Sequence, residues 1–170
     1  MEYELIRSDR RTLGLEVKRD GRVIVRAPRH LPQREIDRFL ADRAAWIQNA
    51  KARQHSRAET HPEPTEAEKK AYIRAAKEIL PGRVDYWSKR MNLYPTQIRI
   101  TSARTRFGSC SSQGHICFSW RLMQYPEEAI DYVVVHELAH LRHMNHSPAF
   151  YALVARYLPD WKRRKALLKS

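Results

Sequence analysis

The stretch 132–151, YVVVHELAHLRHMNHSPAFY, places four histidines within eleven positions, directly behind an apolar run. A helix that carries Asp131-Tyr132-Val133-Val134-Val135 belongs in a core. There, unpartnered imidazoles and carboxylates would be costly, so the polar residues need a reason to be present. On a helix, His136 and His140 leave the same face about 6 Å apart along the axis, so both can reach one ion. Glu137 points about 100° away from that line. It lies beside such an ion without being a ligand, where a general base for a metal-activated water belongs. This is the H-E-x-x-H pattern of metal-dependent hydrolases.

A hydrolytic zinc site takes a third protein ligand, and two candidates are close. His143 lies on roughly the same face, but about 10 Å beyond His136 on a straight helix. His146 follows His140 by six residues, in Asn145-His146-Ser147-Pro148, where the chain turns back and a side chain can swing toward the ion. His146 fits the third position better, and His143 then lines the site as a supporting or transition-state donor. The spacing equals that of metzincin endopeptidases. However, His143 stands where that pattern has glycine, and no methionine follows to form a Met-turn, so the chain is not a metzincin. The oxyanion formed during amide hydrolysis needs a stabiliser besides the metal; His143, Tyr151 and Arg106 are the candidates.

Around this helix the patterning is mixed. Residues 2–27 alternate at period two with Asp20-Gly21 at a turn position, which reads as a short β-meander or hairpin pair. A helical pattern follows Pro32, and His55–Glu66, polar with two prolines, reads as a linker or loop. A second helical pattern, from about Glu66 to Met91, contains Pro81-Gly82, which should kink or break it. Gln97–Ala103 and His115–Trp120 read as strands flanking a Gly/Ser-rich piece, a loop or distorted edge strand. Its residues Phe107, Gly108 and Ser109 form a candidate edge for pairing with a substrate backbone. Pro126-Glu127-Glu128 opens the histidine helix, and Ser147-Pro148 caps and starts the next. The fold class is α+β, with residues 1–60 expected as an amino-terminal part and 61–170 as the hydrolase core.

Thr105 to Tyr151, TRFGSCSSQGHICFSWRLMQYPEEAIDYVVVHELAHLRHMNHSPAFY, resembles the YgjP-like metallopeptidase family and, more distantly, SprT-like proteases. In that family a W-G-S-C-S block precedes the strand and the H-E-L-x-H-L helix, and N-H-S supplies a third zinc histidine. Phe107 stands here where the family commonly has tryptophan. The likeness extends weakly upstream over most of the chain. It implies a zincin-like domain, with a small mixed or antiparallel sheet packed on the active-site helix and the helix after it. It also implies one Zn2+ per chain on His136, His140 and His146, with Glu137 as base on a zinc-bound water. The expected substrate is a protein or peptide.

The net charge of +13 is spread along the chain rather than held in one tail, which is compatible with contact with nucleic acid. The run Trp161–Lys165, WKRRK, adds to it. A SprT-like role on DNA-associated proteins, or hydrolysis of a non-peptide amide, are the competing functions. Cys110 and Cys117 are too few for a disulfide framework, and their C-x6-C spacing is no zinc knuckle. With no secretory signal or apolar span read in the sequence, the expectation is a cytoplasmic protein that does not enter a membrane.

Overall fold

A computed structural model describes residues 1–60 and 62–169. It forms two compact units, Met1–Glu63 and Pro64–Ser170. The class is α+β, as expected.

The first unit contains β1 (Glu4–Ser8), β2 (Gly14–Val17), β3 (Val23–Pro28), α1 (Gln33–Asp42) and α2 (Ala44–Thr60). Its strands do not form the expected meander. The order is β1-β3-β2, with β1 parallel to β3 and β2 antiparallel to it. The reason lies in β3, whose Val23, Ile24, Val25 and Ala27 are all buried, whereas β1 is half exposed. The most apolar strand takes the centre, where both edges are paired. The Asp20-Gly21 turn does join β2 to β3, with Gly21 at φ 82°, a value glycine adopts without penalty. The core of this unit is Val17, Val23, Val25 and Ala27 against Ile36, Leu40, Ile47 and Ala50 of the two helices. A single residue, Arg43, interrupts those helices. Helix α2 runs to Thr60, through much of the expected linker, because its prolines come only after it. His61 of that linker lies outside the described residues.

The second unit contains α3 (Glu66–Met91), β4 (Gln97–Thr101), β5 (Gly108–Cys110), β6 (His115–Ser119), a 3₁₀ turn (Trp120–Gln124), α4 (Glu127–Ala139), α5 (Pro148–Tyr157) and α6 (Trp161–Leu167). Thr65 and Glu68 close a capping box at the start of α3. Pro81 does not break that helix. The carbonyl it leaves unpaired belongs to exposed Lys77, while Ala76, Leu80, Val84 and Trp87 stay packed on the buried face. The sheet order is β4-β6-β5, with β4 parallel and β5 antiparallel to β6, so β5 is an edge strand. Helix α4 is buried on nearly every side from Ala129 to His140, as a helix at the centre of a domain must be. Asp131 on it is 7% exposed and receives a two-pronged guanidinium bond from Arg83 of α3, at 2.7 and 2.6 Å. No helix is long and apolar enough to cross a membrane, among the residues described.

Candidate metal centre

Helix α4 presents His136 and His140 on one face, and the turn that leaves it returns His146 to the same point. The turn is set by Ser147, whose hydroxyl accepts from the Phe150 amide at 3.3 Å and caps α5. The three Nε2 atoms form a nearly equilateral triangle, with His136–His140 at 3.2 Å and the other two sides at 3.1 Å. A tetrahedral ion with bonds of about 2.0–2.1 Å sets its nitrogens roughly 3.3 Å apart, so the donor set fits one ion. No other convergent group of three or more metal-binding side chains occurs among the described residues.

The opposite ring nitrogen fixes the tautomer of His140. His140 Nδ1 lies 3.0 Å from the His143 carbonyl, which can only accept, so Nδ1 carries the proton and Nε2 offers its lone pair. His136 Nδ1 lies 3.3 Å from the Tyr132 hydroxyl. Burial, reinforced by His140 and His146, pushes the His136 pKa down to about 3, and burial also lowers that of His140. Both imidazoles are therefore neutral near pH 7, the form that ligates. All three rings rest on one floor, the fully buried Phe150, at centroid distances of 4.9, 4.5 and 5.0 Å for His136, His140 and His146.

Glu137 is not part of the triangle. The residue is 5% exposed, and its side chain lies against the edge strand. A Cβ built on Gly108 would meet Glu137 Cγ and Oε1 at 2.8 Å, so only glycine leaves room for this carboxylate. Burial raises the Glu137 pKa to about 7, opposed by the charge of Arg106. On the same face of β5, burial and then the Glu137 charge push the Cys110 thiol up to about 11. Ser109 and its partner Cys117 alternate to the other face, so the two cysteines point to opposite sides of the sheet and cannot pair with each other.

Of the residues marked in the sequence, the structure thus gathers His136, His140 and His146, with Glu137, Gly108 and Arg106 beside them. His143 enters through its backbone carbonyl. Tyr151 stacks on His146 at 6.1 Å, and Phe107 turns to Tyr125 at 5.0 Å, edge to face. Tyr132, Phe150 and Trp161 are additions to the sequence reading. Tyr132 precedes His136 by four residues, a helical spacing that signals the contact. For Phe150 and Trp161 the sequence carries no comparable signal.

A model of the YgjP-like metallopeptidase domain matches residues 11–73 and 63–170. The chain belongs to the YgjP-like family. It is accordingly a hydrolytic metalloenzyme of the peptidase class, acting on peptide or protein. Among solved structures, this YgjP-like chain is similar to one described as the metallopeptidase zymogen of Pyrococcus abyssi abylysin. The identity is 21% over 53% of this chain and 91% of that one, with a TM-score of 0.49. No curated protein matches it.

Proposed function

We propose that the protein is a zinc-dependent peptidase in which His136, His140 and His146 hold one Zn2+ and Glu137 is the general base. The observation that carries this reading is the convergence of the three Nε2 atoms within 3.2 Å of one another. The ion would supply Lewis acidity, which acidifies water and polarises a carbonyl. Glu137, with a pKa raised by burial to about 7, takes a proton near neutrality onto its carboxylate and returns it to the leaving amine. The wall at Gly108 holds that carboxylate in one place. Arg106 offers positive charge on the Glu137 side and is assigned to the oxyanion; His143 and Tyr151 contribute by orienting His140 and His146.

The outer edge of β5, with Gly108 and Ser109 and the preceding Phe107, is assigned to the substrate backbone, which it would extend as an added strand. A cavity of about 360 Å³ lies at the far end of that strand, lined by Tyr94, Ser111, His140, Leu141 and Met144, and is assigned to a substrate side chain. The two free thiols suit a reducing compartment, and so a cytoplasmic location. A second reading, action on DNA-associated proteins in the SprT-like manner, draws on the net charge of +13.

The test is metal content and cleavage of an unfolded protein, for wild type beside Glu137→Gln, with and without DNA at several salt concentrations. One zinc per chain in both, with cleavage by wild type alone, is the expected result. Protein purified with zinc available but holding none would overturn the assignment. Cleavage that requires DNA and falls steeply with salt would select the second reading.

A further inference from the structure

The last helix, α6, is placed by charge and used by an aromatic ring. Arg163 forks onto the Glu128 carboxylate of α4 at 2.9 and 3.2 Å and also reaches Asp160, which in turn accepts from Arg164 at 2.9 Å. Two cations of the WKRRK run are therefore engaged within the fold. The ring that this clamp sets in place is Trp161. Trp161 stacks on Tyr132, with centroids 6.4 Å apart and planes 14° off parallel. It also stacks on Tyr151, at 4.9 Å and 21°. Tyr132 is the residue whose hydroxyl meets His136 Nδ1, and Tyr151 is the residue stacked on His146, at 27°. A chain of ring contacts thus links one histidine of the triangle to another through Trp161. His140 stands outside it, held by the His143 carbonyl.

We propose that Trp161 is a positioning residue for the metal centre, setting the orientations of His136 and His146 through Tyr132 and Tyr151. This rests on the reading of the three histidines as ligands. Partners that orient a ligating imidazole set its angle to the ion and its basicity, and they act on affinity without touching the metal. Removing the middle ring frees both tyrosines at once. Replacing it with a smaller ring keeps the stack.

The measurement is Zn2+ affinity by chelator competition, with the visible absorption of the Co2+ form as a geometric readout, for wild type, Trp161→Ala, Trp161→Phe and Tyr132→Phe. Trp161→Ala and Tyr132→Phe should bind zinc about tenfold more weakly with an altered Co2+ band, while Trp161→Phe stays within about twofold of wild type. A folded Trp161→Ala with wild-type affinity and an unchanged Co2+ spectrum would overturn the inference. Should that variant fail to fold, fluorotryptophan-labelled wild type decides: the Trp161 resonance, assigned by Trp161→Phe, must shift with one equivalent of zinc, and an unmoved resonance refutes the coupling. Wild type that binds no zinc would instead remove the ligand assignment beneath it.

Discussion

In both units the third strand lies in the middle of the sheet, parallel to the first and antiparallel to the second. In both, the antiparallel edge strand opens with a glycine, Gly14 in β2 and Gly108 in β5. Yet what fills the space beside each glycine differs. At Gly14 it is the guanidinium end of Arg10, the tip of a long side chain. At Gly108 it is the buried carboxylate of Glu137. Among the described residues, the buried polar ones, Ser88, Ser119, Asp131, Glu137 and His140, all belong to the second unit. The same strand arrangement serves as an ordinary core in one place and as the wall of a buried carboxylate in the other. A sheet of this kind supplies rigidity, and the helix laid against it decides whether that rigidity holds chemistry.

The largest effect should come from Glu137→Gln, which keeps the shape of the site and removes the proposed base: turnover should fall by about 10²–10⁴-fold, with zinc content unchanged. Retained cleavage would show that the second unit uses its buried carboxylate no more than the first uses Arg10.

Next is Arg83→Leu, which leaves Asp131 buried without its partner and should cost about 3–5 kcal/mol, read by denaturant unfolding of the second unit. The third is the pair of glycines. Gly108→Ala drives a methyl into Glu137, and a displacement of about 1 Å in a catalytic group can cost about 10²-fold in turnover. Gly14→Ala displaces only a flexible guanidinium and should leave the melting temperature nearly unchanged. Equal losses of stability from the two would erase the contrast.

The smallest effect belongs to Arg26→Leu on the first sheet, whose bond to Glu16 is solvated and contributes at most about 1 kcal/mol. Glu16 is held below its ordinary pKa by Arg26 and then Lys18. Its contribution is therefore present above that ordinary value, near 4.5, and fades as acid protonates the folded carboxylate. An acid titration of stability in wild type and Arg26→Leu should diverge only above that range.

Periodicity made the elements legible where one face of a segment meets one core. The spacing of His136 and His140, the alternation in β2 and β6, and Ser147-Pro148 at the start of α5 were readable for that reason. It reports which face is buried and not which strand lies beside which, so the order β1-β3-β2 could not be read from residues 2–27. Local rules also lost to packing. Pro81 sits inside α3 because Leu80 and Val84 hold the helix to the core around it. Around the metal centre, the neighbours in sequence were legible and the neighbours in space were not. Tyr132 is one helical turn from His136, whereas Trp161 reaches the same histidine only through the packing of α6 on α4.

The order of strands also sets an order of events. As the chain leaves the ribosome, β4 has no partner until β6 has been made, and the hairpin of β5 and β6 can close before β4 docks. Gly108 and its strand precede, in order of synthesis, the helix bearing Glu137. The seat of the proposed base can therefore be laid before the base is delivered to it.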